Sequence, residues 1–130
     1  MKIYTSYFAN LKNIPSDIIP ISIARKTPPW FDGLSIKLLA PDEHTLLKYN
    51  YDGNHDRYIK EYSEEVLKLL YAPKLVHYFE VKSGGKDVVL LCYESPEKFC
   101  HRHLLSDWLN KNGFHCKEYS NEMELMRSET

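Results

Sequence analysis

The segment Val88–Arg102, VVLLCYESPEKFCHR, constrains the chain more than any other. Five apolar or small residues, Val88 to Cys92, form an unbroken run. A strand with one wet face would alternate, so this run predicts a central strand covered on both sides. Ser95 then reads as a helix N-cap and Pro96 as the first helical residue, with the helix running to about Asn112 and Gly113 closing it. Cys92, Glu94, Cys100, His101 and Arg102 therefore gather at the carboxyl end of a central strand and on the turns that follow. Open α/β sheets bind ligands at that edge.

The rest of the chain fits the same architecture. Lys2 to Phe8 reads as a first strand and Asp17 to Arg25 as a second, with Pro20 implying an edge position or an irregular start. Lys26 to Gly33 is a loop with two prolines. Ala40-Pro41-Asp42 opens a short helix through Tyr49, and Asp56 to Tyr71 is an amphipathic helix with Ile59, Tyr62, Val66, Leu69 and Leu70 at three- and four-residue steps. Leu75 to Lys82 reads as a strand or a helix end, and Phe114 to Tyr119 as a last short strand. Alternating strands and helices predict an α/β, three-layer sandwich with a mainly parallel central sheet, its helix-rich middle capping the sheet's carboxyl edge. Residues 1–119 are expected to form a single α/β domain, and 120–130 a polar C-terminal tail without fixed structure.

Charge and composition remove some function classes. A net charge of −1 gives no bulk attraction to nucleic acid or to an anionic membrane. No apolar run approaches the ~20 residues of a membrane span, and the N-terminus lacks the apolar region of a secretion signal. Three cysteines without framework spacing predict free thiols and a cytoplasmic setting.

On a helical wheel, Leu104, Leu105, Trp108 and Leu109 define the buried stripe of the last helix, with His101 near its centre, Arg102 on the flank and His103 toward solvent. A buried histidine needs a partner, and Glu94 is the nearest candidate. The functional reading makes His101 a general acid/base oriented by Glu94, with Cys100 a nucleophile activated by the helix dipole. The structural alternative is a polar pair beside small buried cysteines. Arg25 and Arg102 are candidates to clamp one anion. Tyr58 and Tyr62, one turn apart, are candidate stacking walls, and Trp30 a further lining residue; each also reads as ordinary packing. Cys92 is grouped with this ligand-binding set. Zinc at Cys92, Cys100 and His101 is disfavoured, because adjacent helical side chains diverge by ~100°. An oxyanion-cradling thiolate loop is disfavoured too, since the span from Cys92 to Arg102 is long and has no glycine. No metal and no cofactor are expected.

Leu90-Leu91-Cys92-Tyr93-Glu94 followed by Cys100-His101-Arg102 resembles the hallmark of the DUF488 family, whose function is unknown. Tyr4-Thr5-Ser6-Tyr7-Phe8, Ser22-Ile23-Ala24-Arg25 with Pro28 and Trp30, Leu39-Ala40-Pro41, and Tyr58 with Tyr62 resemble one branch of it. Family members carry Asp-x-Arg at the second strand's end; here Ile23 replaces the acid and Arg25 alone carries over. The resemblance implies an α/β domain and a site drawn from Cys92, Glu94, Cys100, His101, Arg102 and Arg25. It implies no reaction. The residues themselves suggest an anionic partner bearing a planar ring, a nucleotide or a nucleic-acid component, bound and modified there. Two alternatives remain: a non-catalytic adaptor or sequestering protein, and a thiol redox or metal site.

Overall fold

The computed structural model describes residues 1–95 and 98–120. Its centre is a five-stranded sheet in which every strand pair is parallel. The strands are β1 (Ile3–Tyr7), β2 (Ile19–Ser22), β3 (Leu34–Ser35), β4 (Val88–Cys92) and β5 (Cys116–Glu118), in spatial order β3-β2-β4-β1-β5. The unbroken apolar run of β4 has a direct physical cause. Val88, Leu90 and Cys92 enter one core with Ile21, Leu75, Phe79, Leu105 and Leu109. Val89 and Leu91 enter the other, with Tyr4, Phe8, Ile18 and Tyr119. With strand side chains alternating between faces, a strand buried on both must be apolar throughout.

The α-helices are α1 (Glu43–Asp52), α2 (His55–Glu65), α3 (Ala72–Ser83) and α4 (His101–Lys111). Local chemistry sets their ends. Asp42 caps α1 by accepting from the His44 amide, and Asn54 caps α2 by accepting from that of Arg57. Gly53 and Gly84 close α1 and α3 in the left-handed region. Leu75 and Phe79 of α3 and Leu105 and Leu109 of α4 share one sheet face. The opposite face is covered by the 3-10 helix Phe8–Asn13 and the following loops.

Several elements depart from the sequence expectation. Of the two readings of Pro20 the irregular start holds and the edge does not: the second strand is internal, and β3 pairs beside it only at Ile21 and Ser22. The Ile19 and Ile23 amides point toward β4, so Pro20, one residue out of phase, lacks its N–H on the β3 side, where pairing starts only at Ile21. Leu75–Lys82 lies within α3. Helix α2 ends at Glu65 and gives way to the short 3-10 turn Leu67–Leu69. Its buried stripe is Tyr58, Tyr62 and Val66, whereas Ile59 and Leu69 are exposed. Helix α4 begins at His101, with Cys100 as its N-cap, rather than near Pro96, which lies outside the described residues. The stretch 121–130 of the expected tail lies outside them as well. Among the described residues no helix is long and apolar enough to cross a membrane.

Candidate functional site

A cleft of about 330 Å³ opens at the carboxyl edge of the sheet. Ala24, Arg25 and Lys26 after β2 line it, as do Cys92, Tyr93 and Glu94 after β4. The lining also includes Tyr49 and Tyr58 from α1 and α2, with Phe99, Cys100 and His101 at the start of α4. Parallel strands deliver their following loops to one edge, and the α1–α2 pair folds over it. Tyr49, Tyr58, His55 and Phe99 form one aromatic cluster, with the His55 and Phe99 rings stacked at 4.5 Å.

His101 is 6% exposed and held by a different partner from the one expected. Its Nε2 lies 2.7 Å from the Ile23 carbonyl, and its Nδ1 lies 3.7 Å from Cys100 Sγ. A carbonyl only accepts, so Nε2 carries the proton and Nδ1 keeps its lone pair beside the sulfur. Burial pulls the imidazole down to about 4, against the favourable Ile23 contact, and keeps it neutral near pH 7. Glu94 is exposed at the cleft; the partner that fixes the ring is the Ile23 backbone, on a different strand.

Arg102 departs furthest from the sequence reading. The wheel put it on the helix flank, available to an anion; it is fully buried. Its Nε and Nη2 donate to the two Glu118 carboxylate oxygens at 3.0 Å each, and its Nη1 donates to Cys92 Sγ at 3.0 Å and to the Glu94 carbonyl at 2.5 Å. The Tyr7 ring lies 5.8 Å from its guanidinium carbon. Arg102 is thus absent from the cleft lining, and the shared clamp with Arg25 does not form. Arg25 itself lines the cleft, loosely paired with Glu43 at 3.8 Å. Nothing in the sequence near Arg102 singled out Glu118, which lies on β5 and also accepts from the Thr5 hydroxyl at 2.6 Å.

The aromatic candidates divide. Tyr58 lines the cleft. Tyr62 lies behind it, with its hydroxyl donating to the Leu39 carbonyl at 2.7 Å and its ring centroid 5.7 Å from that of His101. Trp30 is 61% exposed and packs edge-on against Phe8 and Phe31, away from the cleft lining. The indole follows its loop onto the Phe8 side of the sheet, which periodicity in a proline-rich loop does not reveal. Tyr49, Phe99 and Lys26 are lining residues that the sequence reading missed. Trp108, assigned to the buried stripe, is only partly buried, and His103 is half-buried rather than turned to solvent.

The thiols also differ from expectation. Cys92 and Cys100 are joined as a disulfide, while Cys116 is free and buried, its thiol pushed up to about 11 by that burial. An odd count of cysteines says nothing about two of them meeting across a loop. The objection to metal also fails on the geometry. Cys100 is not helical: at φ −153° and ψ 147° it is extended, so the divergence of adjacent helical residues does not apply. Cys92 Sγ, Cys100 Sγ and a His101 ring nitrogen lie within 4.8 Å of one another.

A parallel α/β sheet with a cysteine–histidine cluster at its carboxyl edge defines the class. A family model described as the active DUF488-N3 subclade matches residues 13–113. The chain belongs to the DUF488 family. No curated protein and no solved structure gives a significant match.

Proposed function

We propose that this protein binds an anionic ligand carrying a planar ring, of the nucleotide or nucleic-acid-base class, in the cleft at the sheet's carboxyl edge. One observation carries the reading: the cleft combines two cationic side chains, Arg25 and Lys26, with an aromatic group of Tyr49, Tyr58 and Phe99. Cations suit a phosphate or carboxylate, and aromatic faces suit a ring. His101 and Cys100 line the same cleft. When the Cys92–Cys100 disulfide is reduced, the Nδ1 lone pair of a neutral His101 is a proton acceptor beside the Cys100 thiol, which supports modification of the ligand as well as its capture.

Titration calorimetry with purine and pyrimidine monophosphates and the matching uncharged nucleosides tests this. The expected result is saturable binding that is tighter for the monophosphate. Arg25→Ala should weaken it about tenfold or more, since a hydrogen bond to a charged group contributes roughly 1.5–3 kcal/mol. Equal affinity for nucleoside and nucleotide, or indifference to Arg25→Ala, would overturn the anion reading. Incubation of the bound ligand followed by mass analysis separates modification from sequestration.

A further inference from the structure

The cleft floor carries a set of donors that binding of an organic anion does not use. Cys92 closes β4, Cys100 caps α4 and His101 begins it. All three are buried, at 1%, 6% and 6% exposure, yet all line the open cleft. Their donor atoms lie within 4.8 Å of one another. Tetrahedral zinc, with Zn–S near ~2.3 Å and Zn–N near ~2.0–2.1 Å, requires donors roughly 3.5–3.8 Å apart. The Nδ1–Sγ separation of 3.7 Å at His101 and Cys100 already has that value. The Cα atoms of Cys92 and Cys100 are 7.5 Å apart, wider than the roughly 4.4–6.8 Å usual for a bridged pair. This backbone therefore has room for an ion between the two sulfurs.

The surrounding contacts suit the same chemistry. A metal-bound imidazole characteristically turns its other N–H onto a carbonyl or carboxylate, which fixes the ring. His101 Nε2 does so on Ile23, leaving Nδ1 for an ion. Arg102 Nη1 donates to Cys92 Sγ, a contact that strengthens when the sulfur is a thiolate. Glu118 balances the charge of Arg102, so the guanidinium does not repel a cation unopposed. Cys100 stands at the positive end of α4, where a thiolate is favoured.

We propose that, in the dithiol form, Cys92, Cys100 and His101 hold one zinc-type divalent cation through two sulfurs and Nδ1, with its fourth position open to the cleft. No electron moves on binding. The two thiols release their protons to solvent, and the two sulfurs and Nδ1 each donate a lone pair to the ion. The fourth position takes water or an anionic oxygen. The disulfide and the metal complex exclude each other, because the disulfide has no thiolate to offer. Soft thiolate donors select zinc over magnesium or calcium.

Cobalt(II) is the probe. The full chain is reduced anaerobically with a phosphine, freed of metal and titrated with cobalt. The expected product holds one cobalt per chain, with the strong visible bands of a tetrahedral ion and a near-ultraviolet thiolate-to-cobalt band. Zinc should displace it and abolish both features. Cys92→Ser, Cys100→Ser and His101→Gln should each weaken zinc binding ~100-fold or more, since loss even of a supporting contact costs 10–100-fold. Cys116→Ser should leave it unchanged. Weak pale-pink octahedral cobalt, a Cys92–Cys100 bond that survives reduction, or unchanged spectra in Cys92→Ser would overturn the proposal. If circular dichroism shows that the ligand variants do not fold, X-ray absorption of the zinc-loaded wild-type protein decides. A shell of two sulfurs and one imidazole supports the site, and a shell of nitrogen and oxygen alone overturns it. No organic anion is present in these measurements, so their outcome and that of the nucleotide titration are independent.

Discussion

Arg102 and Glu118 form a two-pronged ion pair, Nε to Oε1 and Nη2 to Oε2, both at 3.0 Å, with the arginine side chain fully buried and the glutamate side chain 26% exposed. This asymmetry predicts unequal costs. Glu118→Ala strands a guanidinium with no route to water and should destabilise by about 3–5 kcal/mol. Arg102→Met fills the space and leaves a carboxylate that water can reach, so its cost should be smaller. Urea unfolding of both variants checks the order. A larger loss for Arg102→Met would mean that its contacts to Cys92 and the Glu94 carbonyl outweigh the pair itself.

The buried neutral His101 predicts a pH dependence. Its folded value, about 4, lies below the ordinary 6.5. Above pH 6.5 neither state is charged and the group contributes nothing. As pH falls from 6.5 toward 4, the unfolded chain binds a proton that the folded chain refuses, so stability drops, by about 3 kcal/mol at most. Below about 4 the difference stops growing. In the metal-free protein, His101→Gln should flatten this part of the stability profile relative to wild type. Parallel profiles for the two proteins would show that the imidazole titrates in the fold as it does in the unfolded chain.

Glu43 lies 3.8 Å from Arg25 on the cleft lining, and its side chain is 67% exposed. An incoming anion must share Arg25 with it. Glu43→Gln should therefore tighten binding of a nucleoside monophosphate by about twofold to fivefold, the scale of an exposed ion pair, and less at high salt. Calorimetry at two ionic strengths reads this out. Weaker binding in the variant would place Glu43 among the ligand's own partners.

Tyr62 ties α2 to the chain that follows β3 through its buried hydrogen bond to the Leu39 carbonyl. Tyr62→Phe keeps the ring and removes the donor. The orphaned carbonyl should cost roughly 1–3 kcal/mol. Thermal unfolding measures it, and nucleotide affinity should change little because Tyr62 does not line the cleft. An unchanged melting temperature would show that water replaces the bond.

Local sequence and short-range periodicity account for much of what is seen. The run Val88–Cys92 specifies a strand buried on both faces, because only apolar side chains can occupy both sides of such a strand. Asp42, Asn54, Gly53 and Gly84 mark helix ends through capping and left-handed backbone that need no distant partner. The grouping of Arg25, Cys92, Glu94, Cys100 and His101 at one cleft follows from parallel strands ending at a common edge. The two-residue strand β3 was not legible, since Leu34 and Ser35 become a strand only by pairing with Ile21 and Ser22.

What each site residue does was decided by contacts between distant parts of the chain. Arg102 reads as an anion clamp until β5 brings Glu118 to it, 16 residues further on. His101 points to Glu94 in sequence, but takes its partner from Ile23, 78 residues away. Helical geometry counts against Cys100 as a metal ligand, but Cys100 is the extended N-cap of α4 rather than a helical residue. The sequence by itself determined the central strand, its family hallmark and the edge where the reactive groups gather, because those depend on neighbours along the chain. Only the tertiary structure decided which donors face the cleft and which are consumed inside the protein, because burial and long-range pairing set what each charge and lone pair is free to do.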